Sequence, residues 1–144
     1  MSYVIVKYLH FIGVFGLFAL LLLEFYIVKP VLSGAMMTRL ANVDLVYWAF
    51  GILAVVTGIL LTVSVGKSAS FFLSNPVYHI KVTLFGVAIL ATTYPTFFFQ
   101  THRRCAAAAE INVPKAVGTI IRLKFPVLFL LPLLAALMAQ GYGC

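Results

Sequence analysis

The sequence predicts an all-α fold, a four-transmembrane-helix bundle, and three observations carry that prediction. Of the 144 residues, 64% are hydrophobic and only 9% are charged. The mean hydropathy is +1.14. The apolar residues fall into four long runs, separated by short stretches that hold charges, prolines and turn residues. A water-soluble domain of this length could not bury so much apolar surface. A bilayer core about 30 Å thick instead asks for about 20 consecutive apolar residues per helical pass. Too few residues lie outside the four runs to build a second unit, so 1–144 reads as a single integral membrane domain.

The first helix is expected over about 3–28. Lys29-Pro30 and then Ser33-Gly34 end it with a charge, a helix breaker and turn residues. Its apolar run continues past Glu24 through Phe25-Tyr26-Ile27-Val28, longer than the core of a cleaved signal peptide, so it reads as a retained helix. The second is expected over about 44–65, with Asn42 or Asp44 as N-cap and a stop at Gly66-Lys67-Ser68. Pro76 after the Asn75 cap suits the first turn of the third helix, about 76–100, which ends at His102-Arg103-Arg104. The fourth is expected over about 114–140. Pro95, Pro126 and Pro132 fall inside apolar segments and predict kinks packed against neighbouring helices. Gly13, Gly16, Gly51, Gly58 and Gly86 read as close-packing positions between helices.

Basic residues resist translocation and so orient the bundle. The loop after the first helix carries Lys29 and Arg39, and the loop after the third carries Arg103, Arg104 and Lys115, with Arg122 and Lys124 just beyond. On the other side lie Lys7 and Lys67. Both termini are therefore expected to face outward from a bacterial inner membrane. The formal net charge of +7 then reflects topology and anionic lipid head groups. No aromatic-interleaved basic motif of a nucleic-acid binder is present. Cys105 and Cys144 fall on opposite sides in this scheme, so they cannot pair within one chain, and neither has metal-ligand spacing.

The informative residues are ionisable ones inside the apolar runs, where charge is costly and needs a partner or a task. Two layers are expected. His10 and His79, with Lys7 and Lys81, share the outer half; Glu24, Asp44, Arg122 and Lys124 gather toward the cytoplasmic ends. Imidazoles from two helices can ligate one haem iron, so His10 and His79 are candidate ligands of a haem b, with Lys7 or Lys81 at its propionates and Gly13 and Gly16 leaving room for the macrocycle. Equally, the two histidines can be hydrogen-bonded interfacial residues. Glu24 and Asp44 can simply neutralise Arg122 and Lys124, or one of them can carry a proton.

Three stretches carry a family resemblance: Tyr8-Leu9-His10-Phe11-Ile12-Gly13-Val14, the segment from Gly66 to Lys81 that includes Asn75-Pro76-Val77-Tyr78-His79-Ile80-Lys81, and Tyr94-Pro95-Thr96. They resemble a family of small bacterial membrane proteins defined only as a domain of unknown function. More distantly, a histidine early in the first helix and a His-x-Lys at the start of the third resemble HemJ-type protoporphyrinogen oxidases and CopD-type membrane domains. That likeness implies a haem b site in which His10 and Lys81 take part. Three function classes follow. The first is a haem-binding redox protein whose partner is quinone or another membrane redox protein. The second is a transport or proton-relay component, in which four helices per chain would require a homo-oligomer to line a pathway. The third is a non-catalytic accessory subunit. With no Gly-rich phosphate loop in the chain, direct use of ATP or NAD is not expected.

Overall fold

The computed structural model describes residues 2–64 and 67–142. Val65, Gly66 and Cys144, which figured in the second helix's expected end and in the cysteine pairing, lie outside the described residues. Four long helices form the bundle: α1 (Ser2–Ile27), α2 (Gly34–Val63), α4 (Pro76–Thr101) and α5 (Lys115–Ala139). All four are long and apolar enough to cross a membrane. A short α3 (Ala69–Leu73) lies in the connection before α4. A ribbon of β1 (Val31–Ser33) and β2 (Glu110–Asn112) joins the connections at the opposite end of the bundle.

Side-chain contacts fix the arrangement. Gly16 lies against Phe50 and His10 bonds to Thr57, so α1 and α2 are antiparallel. Asp44 bonds Thr96 and Ala41 bonds Gln100, so α2 and α4 are antiparallel too. Phe18 packs on Phe129 and Phe25 on Phe125, which closes the ring with α5 beside α1. α1 and α4 therefore stand diagonally and run the same way. Around the outside, Phe15, Tyr26, Leu90, Phe97 and Phe129 stay exposed. Exposed aromatic and aliphatic side chains on every helix are what a lipid solvent permits and water does not.

The second helix departs from expectation at its start. It begins at Gly34, not near Asp44, and Asn42 and Asp44 lie in its interior instead of capping it. Ser33 is the N-cap, its hydroxyl accepting the Met36 amide at 3.3 Å. Two more helix-end amides, of Gly34 and Ala35, donate to the carbonyls of Ala109 and Ala107. Ser33-Gly34 thus starts a helix rather than only ending a turn, and the polar residues that follow face the interior or the head groups. At about 45 Å, this 30-residue helix is longer than the bilayer core, so its first turns reach the head-group layer.

The ribbon holds that start in place. Val31, Leu32 and Ser33 pair antiparallel with Asn112, Ile111 and Glu110, and Leu32 and Ile111 are buried. Gly34 is wedged below it: a Cβ there would clash with the Ala106 carbonyl oxygen. Thr38 ties the same loop by donating to the Arg103 carbonyl at 2.9 Å. The third helix begins as expected, with the Asn75 side chain accepting the Val77 amide at 2.9 Å and Pro76 in its first turn. Of the three helix-interior prolines, Pro95 is buried, whereas Pro126 and Pro132 face outward rather than against a neighbouring helix.

Candidate functional site

Each helix buries one stripe, and the ionisable groups lie on the stripes. On α1 the buried positions are Gly13, Leu17, Leu21 and Glu24. On α5 they include Val117, Ile121, Lys124, Leu128 and Leu131. On α2, Met37, Leu40, Asp44 and Tyr47 repeat at the same three- and four-residue steps, and Ala54 and Thr57 resume the stripe two turns on. Steps of three and four keep side chains on one helical face. Glu24, Asp44 and Lys124 therefore occupy places where a leucine would be routine, at relative exposures of 0%, 0% and 3%. Arg122 is exposed, so of the two basic candidates only Lys124 enters the interior.

These three side chains meet. Lys124 Nζ lies 3.4 Å from Glu24 Oε2 and 4.3 Å from the centre of the Tyr47 ring, whose face suits a cation. The Glu24 and Asp44 carboxyls lie within interaction range of each other. Asp44 Oδ1 accepts from the Thr96 hydroxyl at 3.0 Å, and that hydroxyl accepts from Trp48 Nε1 at 2.7 Å. Glu24 Oε1 and Asp44 Oδ2 are buried with no hydrogen-bond partner among the described residues. Two carboxyls facing one ammonium leave one negative charge over. In a poorly polarisable interior, an uncompensated charge and two orphaned oxygens are both costly. One proton held between the carboxyls answers both deficits.

The outer candidates are dispersed by comparison. His10 Nδ1 lies 3.0 Å from the Ala54 carbonyl and 3.1 Å from the Thr57 hydroxyl. A carbonyl can only accept, so Nδ1 carries the proton and Nε2 the lone pair. Lys81 is the basic group within electrostatic range of this ring. His79 instead lies nearer the start of α4 and is exposed, its Nε2 donating to the Leu73 carbonyl at 2.7 Å. Lys7 is exposed over Tyr3 and Phe11 of its own helix. The expected open glycine face is filled: a Cβ on Gly13 would lie 2.9 Å from the Ala54 amide nitrogen, and one on Gly16 would enter the Phe50 ring. Both glycines serve close approach of α1 to α2. No group of three or more metal-ligating side chains occurs among the described residues.

Composition by depth thus located Glu24, Asp44 and Lys124 but missed Tyr47, Thr96 and Gln100. The stripe spacing on α2 points to Tyr47, four residues before Gly51 and three after Asp44. Thr96 and Gln100 are four apart on α4, a helical repeat of hydrogen-bonding side chains in an apolar run.

No curated protein and no solved structure matches the chain. A family model described as a predicted membrane protein (DUF2214) matches residues 2–143, and with nearly the whole chain covered, this multi-pass protein belongs to that family.

Proposed function

We propose that the chain is a proton-carrying component of a bacterial inner membrane, binding and releasing one proton at Glu24 and Asp44 with Lys124 as the fixed counter-charge. The observation that carries this reading is the pair of orphaned carboxyl oxygens beside a single buried lysine. A purely structural pair would be complete with one acid and one base. The second acid adds a desolvation cost that the bond from Thr96 offsets only in part and that a stored proton removes. The basic ribbon end, with Lys29, Arg39, Arg103, Arg104 and Lys115, is assigned to the cytoplasm by the same charge asymmetry that orients the helices. The test is proton uptake by the purified protein in lightly buffered detergent after an acid step, read with a pH dye. Uptake should fall by about one proton per chain in Asp44→Asn and in Glu24→Gln. Equal uptake by the wild type and the double variant would overturn the reading.

A haem b at His10 is a second reading, favoured by one observation. The Ala54 carbonyl fixes the imidazole with Nε2 as its lone-pair nitrogen, the arrangement of an oriented metal ligand. Such a group would supply one-electron transfer, with quinone or another membrane redox protein as partner. In this packing His79 stays on the Leu73 carbonyl, and Lys81 is the α4 residue within electrostatic range of His10. Protein purified from haem-replete cells should then show a Soret band that His10→Ala abolishes; colourless protein removes this reading.

A further inference from the structure

The surroundings of the Glu24–Asp44 pair differ sharply along the bundle axis. Toward the ribbon, polar side chains continue without a break. Gln100 lies one turn beyond Thr96 on α4; its Nε2 donates to the Ala41 carbonyl at 3.0 Å and its Oε1 accepts from Arg103 at 3.4 Å. Arg103 in turn donates to Asn42, 2.5 Å away and exposed. Toward the termini, the interior turns apolar. Bordered by Tyr47, Trp48 and Thr92 lies an otherwise apolar cavity of about 150 Å³, walled by side chains such as Leu17, Val55, Phe85 and Leu128 and open toward the lipid at the exposed Ile52 and Val56. Apolar cavities of that size stay dry. The next internal hydrogen-bonding groups, Thr57 and His10, come ten α2 residues beyond Tyr47, about 15 Å away.

From this asymmetry we infer that the carboxyl pair exchanges its proton with the ribbon side alone, and that Gln100 is the positioning residue at the mouth of that route. This rests on the proton-carrying reading above. The amide of Gln100 bridges α2 to Arg103 and closes the space between Asp44 and the head-group layer. When its two bonds break, water reaches Asp44 from the ribbon side; the dry cavity stops water from the other. The proton enters as hydronium, adds to one carboxylate oxygen of the pair and leaves by the same path. The charged and titratable groups facing the pair are Glu24 from α1, Asp44 and Tyr47 from α2 and Lys124 from α5, with Arg103 at the end of α4. The remaining α4 neighbours, Thr92, Thr96 and Gln100, do not titrate. The chain is then half of a transmembrane path, and onward transfer requires a partner or a second conformation.

The test uses the whole chain, as Cys144→Ser, in sealed vesicles with a strongly buffered lumen. Cys105, beside the ribbon, reports through an impermeant thiol reagent the fraction of chains with the ribbon outward. After an external acid step, the infrared carboxylic C=O signal should rise in proportion to that fraction, and Gln100→Leu should slow the rise at least tenfold while Gln100→Asn restores most of it. A signal independent of the ribbon-out fraction, or proportional to the ribbon-in fraction, overturns one-sided access. An unchanged rate in Gln100→Leu overturns the role of Gln100. Absence of any carboxylic signal at every pH overturns the proton-carrying reading itself, so the failures are distinguishable.

Discussion

The two ends of the bundle treat the same kinds of residue in opposite ways. At the ribbon end, three ionisable side chains from three helices converge out of reach of solvent, and a two-stranded ribbon beside the capped start of α2 ties the connections of the helices that carry them. At the terminal end, His10, His79, Lys7 and Lys81 stand at comparable depth in the sequence, yet His10, His79 and Lys7 each make a separate contact. Depth alone therefore does not make a site; the helical face does. Glu24 and Lys124 lie on buried stripes, whereas Lys7 and His79 lie on outward faces where each can be satisfied alone.

The largest effect expected from that contrast is at the ion pair. Lys124→Ala should destabilise by about 3–5 kcal/mol, because it leaves two acids in the interior without a counter-charge, whereas Glu24→Ala, which leaves Asp44 to face Lys124, should cost less. Glu24→Leu with Lys124→Met, which removes the ion pair, restores apolar volume and leaves Asp44 protonated, should cost less than Lys124→Ala alone. Denaturant titration in detergent measures this cycle. Additive single and double variants would mean that the two groups do not act as a pair.

Next in size is the ribbon itself. Gly34→Ala places a methyl group against the Ala106 carbonyl, which cannot move without breaking the loop that caps α2. A loss of about 3 kcal/mol is expected. Gly86→Ala, with nothing within 4 Å of its new Cβ, should stay within about 0.5 kcal/mol. Similar melting of the two variants would show that the ribbon end is no more tightly packed than the middle of α4.

How much of this was legible in the sequence follows from where each feature draws its cause. Four spanning helices follow from local hydropathy, and α1, α4 and α5 each start and end within a few residues of the expected bounds. The start of α2 did not, because its cap depends on carbonyls of Ala107 and Ala109, contributed by a distant loop. The ribbon was hidden for the same reason: Val31–Ser33 finds its partner only across the fold. Within the site, Glu24, Asp44 and Lys124 could be grouped by depth, but choosing Lys124 over Arg122 needed the stripe Val117, Ile121, Lys124, Leu128. The glycines of α1 read equally as close-packing positions and as room for a ligand. They are room for α2, a distinction that spacing alone does not contain.

A smaller effect is expected at His10. Its ring bridges α1 to the Ala54 carbonyl and the Thr57 hydroxyl and touches Gly58. His10→Ala removes one bridging bond and leaves a small void, at a cost of about 1–2 kcal/mol. The Thr57 hydroxyl keeps its bond to the Leu53 carbonyl at 2.6 Å, so no polar group is orphaned and the loss stays modest. Thermal melting of His10→Ala in detergent measures it; a loss comparable to that at Lys124 would mean that the terminal end holds a coupled site after all.

The smallest effect belongs to His79, and it is the sharpest probe of the comparison because sequence depth pairs it with His10. Its ring is exposed, stands edge-on to its neighbour Tyr78 and donates to the Leu73 carbonyl in the short connection before α4. That carbonyl is close enough to the helix end for water or lipid head groups to replace the imidazole, so the bond contributes little net stability. The start of α4 is held independently by the Asn75 cap and Pro76, which leaves His79 no structural burden of its own. His79→Ala should therefore change stability by less than about 0.5 kcal/mol, while His10→Ala costs measurably more. If instead the two single variants lose equal stability and the double variant loses no more than either, the imidazoles act through a shared element. The terminal end would then be a second site rather than a set of separate contacts.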